Sequence, residues 1–386
     1  MADRNRPLVS LFPCNDYQPE KIQDALRSLL APFGGMGAFV RKGARVILKP
    51  NLVFGRSPEQ AVNTHPSVVR AVASMAIEAG AGRVAIGDSP GIGSAAFAAR
   101  PPGLAAVAAE LGLEIVEFTA VTIPAPDGCP FPNLEVSREL LDADLVINLP
   151  KMKTHAQMLM TLAVKNLFGA VPGARKLQWH YRAGKDRRLF ARIINAVAAA
   201  IRPALSILDA VVGMDGQGPT AGRARSVGFL AAGSDPWAVD AAVMDILGLD
   251  RESLFTLADA AEYGPREWLN MRLSGSDPAD LRPRGWDIPE LRTLHMHGGF
   301  VERWLPFLAK WLRTGISPIP VPNPVCTGCG RCRDVCPAKA IRLAAGRPVI
   351  NGADCIRCYC CHEFCPEGCM SVAPIGFFGR LLGLKR

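Results

Sequence analysis

Residues 144–155, DLVINLPKMKTH, pass without a break from an apolar run into Lys151, Lys153, Thr154 and His155. An apolar run this short, without alternation, reads as a strand buried on both faces, the usual state of a parallel strand. Six further runs resemble it: LVSLFP (8–13), RVILKP (45–50), RVAIGDS (83–89), LEIVEFT (113–119), LSILDAVVG (205–213) and VGFLAAG (227–233). Helical patterns fall between them at 18–31, 66–80, 103–112, 188–201 and 236–248. Strand and helix in alternation predict an α/β domain: a mostly parallel sheet, flanking helices and right-handed crossovers. The stretch PAPDGCPFPNLEVSREL (124–140) interrupts the pattern and reads as an inserted hairpin or loop.

The strands share a feature at their carboxyl ends. RVIL runs into Lys49, Pro50 and Asn51; RVAI into Gly87, Asp88, Ser89 and Pro90; DLVINLP into the lysines; LSILDAVVG into Met214 and Asp215. In open α/β sheets that edge is where ligands bind. The segment 150–173, PKMKTHAQMLMTLAVKNLFGAVPG, is the richest in polar groups, several of them expected at or near a helix N-terminus, where anions bind. Lys153 and Lys165 are the expected clamp for a carboxylate or phosphate, with Lys49, Asn51, Lys151, Asn166 and Asp215 as further binding groups. His155 or Asp88 is expected to handle protons. Asp88 and Asp215 serve equally well as caps of helices or turns. Lys176 and His180 follow nearby. His65 reads as a helix-cap residue. His295 and His297 lack a nearby third ligand. The glycine-rich GMDGQGPTAG (213–222) matches neither the dinucleotide fingerprint nor the P-loop, so nicotinamide and ATP chemistry find no support.

Ten of the twelve cysteines lie between Cys326 and Cys369. Cys326, Cys329, Cys332 and Cys336 precede Pro337 in the pattern C-x2-C-x2-C-x3-C-P, and Cys355, Cys358, Cys361 and Cys365 precede Pro366 in the same pattern. The offset between the two sets is 29 residues throughout, so the module is an internal duplication. A tight loop holds three thiolates on one cube, and the displaced fourth cysteine reaches the other cube. Cluster I is therefore expected on Cys326, Cys329, Cys332 and Cys365, and cluster II on Cys355, Cys358, Cys361 and Cys336, both of the 4Fe–4S type. Zinc sites use two separated C-x2-C pairs, which this is not. Cys360 and Cys369 fall opposite Arg331 and Ala340 in the duplication and read as spare thiols.

The sequence divides into an α/β domain (1–299), a docking helix with a proline-rich extended linker (300–325), a small α+β ferredoxin-like module (326–373) and an apolar, basic tail (374–386). With 49% hydrophobic and 20% charged residues the chain is expected to bury a large core. The formal charge of +9 falls to about +5 once two clusters with their thiolates, about −4 together, are included. Basic residues are dispersed apart from RAGKDRRLFAR (182–192), so a nucleic-acid partner is not expected. The start lacks a signal-peptide core and no apolar run reaches transmembrane length, which predicts a cytoplasmic protein.

The motifs KPNLV (49–53), GDSPG (87–91), PKMKTH (150–155) and VKNLFGAVPG (164–173), together with the cysteine module, resemble the domain of unknown function 362 family. Its members are commonly described as iron–sulfur or ferredoxin-like proteins. The resemblance spans about residues 7–250 and 320–373; it implies two four-iron clusters and no catalytic residues. Two functions compete: a reductase passing electrons from the clusters to an anionic small molecule at the strand-end edge, and an electron-transfer protein whose large domain docks a partner enzyme. Either needs an electron donor or acceptor protein.

Overall fold

The computed structural model describes residues 6–53, 55–91, 93–289 and 319–373. The expected docking helix at 300–316, His295, His297 and the tail at 374–386 lie outside these residues.

Among the described residues twelve strands precede the cysteine module: β1 (Leu8–Pro13), β2 (Arg45–Pro50), β3 (Arg83–Gly87), β4 (Glu114–Val116), β5 (Ala120–Pro124), β6 (Asn133–Ser137), β7 (Leu145–Leu149), β8 (Lys151–His155), β9 (Leu159–Thr161), β10 (Leu205–Asp215), β11 (Arg223–Gly233) and β12 (Arg272–Gly275). Eight of them form a continuous order, β12-β1-β11-β10-β7-β2-β3-β4, and β8 pairs with β10 while β9 pairs with β8. The run from β10 through β7, β2 and β3 to β4 is parallel, and so is β8 beside β10. β11 is antiparallel to both β1 and β10. All seven expected strands and all five expected helices are present, and the stretch at 124–140 belongs to the β5–β6 hairpin and the short helix Arg138–Asp142.

One expectation fails. Lys151–His155 is a strand, not the approach to a helix N-terminus; it turns back as the β8–β9 hairpin before the one-turn helix Ala163–Asn166. Its two lysines find partners in the interior, Asp209 and Tyr17 for Lys151, Asn51 and Val62 O for Lys153, which offsets the usual cost of burying them.

The sheet is buried on both faces, and alternation along β2 shows it: Ile47 joins one core cluster, Val46 and Leu48 the other. Helices Arg187–Ile201 and Pro236–Leu247 cover the first face; Pro19–Leu30 and Pro66–Glu78 cover the second. The helix starts are capped as their sequences suggest. Asp235 accepts from the backbone N–H of Trp237 and Ala238, Asp186 from Leu189, and the His65 ring from Ser67.

The cysteine module begins with β13 (Ile319–Pro322), which pairs with β16 (Met370–Ala373); β14 (Ile341–Ala344) and β15 (Arg347–Ile350) form a hairpin. The described part of the proline-rich segment is thus extended, and it closes the module. The duplication is visible in the backbone. Gly328, Gly330 and Lys339 have positive φ, and so do Arg357, Tyr359 and Gly368, each 29 residues later. Helices Arg331–Asp334 and Cys360–Glu363 follow the second of these positions in each half.

Candidate functional site

The duplication gathers the thiols into two groups. One cavity is lined by Cys326, Cys329, Cys332 and Cys365, with Cys369 also on its wall, and another by Cys336, Cys355, Cys358 and Cys361. Each group combines three thiols from one half with the displaced thiol of the other. Hydrogen bonds to sulfur repeat at the same offset: Ala340 N–H donates to Cys336 Sγ at 3.3 Å, and Cys369 N–H to Cys365 Sγ at 3.1 Å. Four soft thiol ligands around an enclosed space, with N–H groups aimed at sulfur, fit a four-iron cube. Cys360 is fully buried beside Val335, Cys358 and Phe364, and Cys369 is buried among the first group.

The second half of the module seats on the α/β domain. The His362 ring is fully buried; its Nε2 faces the carbonyl oxygens of Gln217 and Gly218 at 3.1 and 3.2 Å, and its Nδ1 faces Met370 O. Thr220 Oγ1 donates to the carbonyls of His362 and Glu363, and Arg56 to Cys365 O. The glycine-rich loop after β10 is therefore the cradle for this turn. A side chain at Gly218 would collide with Thr154 O, so the loop needs glycine there.

Between the strand ends and this turn lies a partly open cavity of about 50 Å³, lined by Lys153, Lys165, Lys176, Asn166, Asp88 and His180 from the α/β domain and by Glu363 and Phe364 from the module. A volume of that size admits a compact polyatomic ion or one or two waters, far below the several hundred Å³ of a nucleotide or flavin pocket.

Each wall has a local cause. Lys153 Nζ donates to Asn51 Oδ1 and Val62 O, both at 2.7 Å. Asn51 donates on to Asn166 at 2.8 Å, and Asn166 to Asn148 at 2.8 Å, a chain of amides locked across the ends of β2 and β7. The buried Asp240 carboxylate accepts from Ala163 N–H at 2.6 Å and Val164 N–H at 3.2 Å, which fixes the turn that presents Lys165 and Asn166; burial raises that carboxyl well above its usual range. Lys165 makes no hydrogen bond or ion pair among the described residues, and its ammonium lies 5.2 Å from the centre of the Phe168 ring. Lys176 donates to Ser89 O.

Desolvation governs the charges here. Burial pushes the Lys153 ammonium down to about 7 and Lys176 to about 8, and lowers Lys165 as well. His180 is pushed down to about 3 by burial and by Lys165, and its Nδ1 has no hydrogen-bond partner among the described residues. Lys49 and Asp88 form a buried ion pair of 2.8 Å. With that pair neutral, three lysines face one carboxylate, Glu363.

The sequence-derived candidates divide accordingly. Lys153, Lys165, Asn51, Asn166 and Asp88 meet at the cavity. Asp88 is occupied as an acceptor, from Lys49, Ser89 N–H and Leu52 N–H, so it holds the wall together. Lys49 lies behind it. Lys151 shares a strand face with Lys153 but sits one strand repeat back, bonded to Asp209 and Tyr17 at 2.8 and 2.7 Å. His155 Nδ1 accepts from Gln157 and Met158 N–H, and burial drives the ring well below its usual pKa; its Nε2 lies 4.0 Å from Glu363. Asp215 is paired with Arg223 and Arg225 beside the β10–β11 hairpin, away from the cavity. Lys176, though noted in the sequence, was not among the chosen binding groups. Glu363 and Phe364 carried no signal beyond their place between Cys361 and Cys365.

The sequence family described as domain of unknown function (DUF362) matches residues 46–245, and the one described as 4Fe-4S dicluster domain matches residues 321–366. A thylakoid-associated protein of Synechocystis sp. is 44% identical over 284 residues, 73% of this chain and 88% of that one. An uncharacterized polyferredoxin-like protein of Methanocaldococcus jannaschii is 38% identical over 68 residues, 14% of this chain and 40% of that one. Among solved structures, the lactate racemase apoprotein from Thermoanaerobacterium thermosaccharolyticum aligns over 59% of this chain and 54% of its own, at 13% identity and a TM-score of 0.40. The C-terminal module is thus a ferredoxin-type 4Fe–4S domain. Among the described residues no helix is long and apolar enough to cross a membrane.

Proposed function

The chain belongs to the DUF362 family, whose description names no reaction, and from that premise we propose that it is an iron–sulfur reductase. It takes two 4Fe–4S clusters on the two thiol groups and reduces a small anion held in the lysine cavity. One observation carries this reading: the turn that closes the cavity is the turn between Cys361 and Cys365. Glu363 is two residues from each, so its Cα lies within about 8 Å of theirs along the chain. An anion beside Glu363 is then two residues of chain from one thiol of each group.

Bound clusters supply single electrons at low potential. The protein's own residues do the rest. Lys165, without a fixed acceptor, and Lys176 bind and orient the anion. Lys153 is near half-protonation at neutral pH, so it can hold a negative charge or release a proton to the reduced product. The Asn51–Asn166–Asn148 chain fixes Lys153, and Phe364 excludes water. We place the protein in a reducing compartment, the cytoplasm, where cysteine-rich modules keep their thiols. A carrier whose larger domain docks a partner enzyme is the second reading; it leaves the lysines of the cavity without a use.

The test is anaerobic. Reduced, iron-loaded protein is mixed with nitrite, sulfite, bicarbonate and short carboxylates, and cluster absorbance is followed. Reoxidation by one such anion, lost in Lys153→Ala/Lys165→Ala with iron content intact, is expected. Reoxidation by a protein fraction alone would move the chemistry to a partner.

A further inference from the structure

The two halves of the module differ in charge and exposure. Residues 319–350 contain Arg331, Arg333, Lys339, Arg342 and Arg347 against Asp334, five minus one or +4. Residues 351–373 contain Arg357 against Asp354, Glu363 and Glu367, one minus three or −2. The acidic half is the one seated on the α/β domain, over the lysine cavity. The basic half carries the exposed surface: Cys329 is exposed and Cys326 half-buried, while Cys355, Cys358, Cys361 and Cys365 are buried. Val325 beside them is 70% exposed, an apolar centre next to the first thiol group. Arg331 and Arg347 are exposed next to Cys332 and Pro348, which line that group's cavity, and outnumber the one exposed acid on its lining, Glu367.

We propose that this outward face, centred on Val325 and Cys329 and rimmed by Arg331 and Arg347, docks an acidic one-electron carrier protein. The carrier would give up one electron to a cluster held by Cys326, Cys329, Cys332 and Cys365, and two such transfers would load one electron into each cluster from the solvent side, while the acidic half faces the cavity. The inference rests on the cluster assignment above and not on the identity of any substrate. Charge complementarity selects the occupant. A second copy of this chain would set like charge against like, about +2 on each side once one cluster of about −2 is counted with each half, whereas an acidic carrier is steered in at low salt. An exposed apolar centre with a charged rim is also how short-lived protein contacts are built.

The experiment mixes oxidised, iron-loaded full-length protein with reduced flavodoxin, an acidic carrier, in an anaerobic stopped-flow instrument, and follows bleaching of the cluster absorbance. The rate constant is expected to fall at least about tenfold between about 0.05 and 0.5 M salt. R331E/R347E is expected to lower it at least about tenfold at low salt, while reduction by dithionite stays unchanged. Calorimetric binding of oxidised flavodoxin should weaken in parallel. Should the double variant lose iron, R331E alone and V325D give the same reading. A rate indifferent to salt and to charge reversal would overturn the proposal. So would self-association abolished by R331E, or binding to phosphatidylserine vesicles with no preference for flavodoxin. None of these readouts uses turnover, so failure of the reductase reading leaves the result interpretable.

Discussion

Lys49 Nζ lies 2.8 Å from Asp88 Oδ1, at the ends of the neighbouring parallel strands β2 and β3, with 0% and 4% of the two side chains exposed. Burial lowers the Lys49 ammonium below its usual value and Asp88 opposes that, so removing one partner leaves the other stranded. Asp88 also accepts from Leu52 and Ser89 N–H, so it ties both strand ends to the cavity wall. Lys49→Met is expected to cost about 3–5 kcal/mol in an anaerobic denaturant melt. Gly169→Ala tests the same pair without touching either charge, because a Cβ at Gly169 would land on Asp88 Oδ1 and Lys49 Nζ. It should cost about 1–3 kcal/mol, and far less in a Lys49→Met/Asp88→Leu background. Equal costs in both backgrounds would mean that Gly169 is constrained by something else.

Lys153 gives a pH dependence with a definite sign. Its folded pKa is about 7 against 10.5 for an ordinary lysine, with burial as the first cause. Between those values the unfolded chain carries a proton that the folded chain lacks, so stability rises with pH, by at most about 1.4 kcal/mol per unit. Below about pH 7 both states are protonated and the penalty is constant. Lys153→Met removes the dependence. The stability of wild type relative to Lys153→Met should therefore be flat from pH 5.5 to 6.5 and climb from 7 to 9; a constant difference across the whole range would refute the lowered pKa.

The same lysine shows what the sequence could and could not disclose. The strands and helices of the α/β domain were legible because apolar runs report burial directly. The two thiol groups were legible because spacing alone decides which cysteines share a loop. The segment 151–155 was not, since KMKTH has no apolar run, and what makes it a strand is Asp209 under Lys151 and Asn51 beside Lys153. Asp215 was drawn into the candidate site by its strand-end position, yet Arg223 and Arg225, reached only when β11 folds back, claim it. Glu363 and Phe364 complete the cavity from about 200 residues away. Docking of the second repeat is a tertiary event with no local pattern to announce it.

Cys365 and Cys369 separate ligand from bystander. Both line the first thiol cavity, but Cys365 stands at the displaced-cysteine position of the repeat, whereas Cys369 falls at the position of Ala340 and contributes its backbone N–H to Cys365 Sγ at 3.1 Å, as Ala340 does to Cys336. That backbone contact survives any side chain. Cys369→Ala is expected to keep about eight irons per chain, and Cys365→Ala to fall to about four. Iron analysis and low-temperature EPR of the reduced variants read both numbers. Loss of iron in Cys369→Ala would assign its sulfur to a cluster.

The loop Gln217–Thr220 is predicted to control how the module sits without controlling whether it forms. Its carbonyls meet the His362 ring, Thr220 meets the carbonyls of His362 and Glu363, and Gly218 leaves no room for a side chain against Thr154 O. Gly218→Val must push this loop off Thr154 and so withdraw the partners of the turn at 360–366, while all eight expected ligand cysteines keep their own loops. The variant should load iron normally. Its amide exchange at 360–366 should rise by about tenfold or more, since a turn without tertiary partners opens locally. Lys165 then loses its neighbours Glu363 and Phe364, and reoxidation by any small anion should slow, while dithionite reduces the clusters as before. If exchange stays at the wild-type level, the loop is not what holds the turn over the cavity, and the link between thiols and lysines must be sought in other contacts.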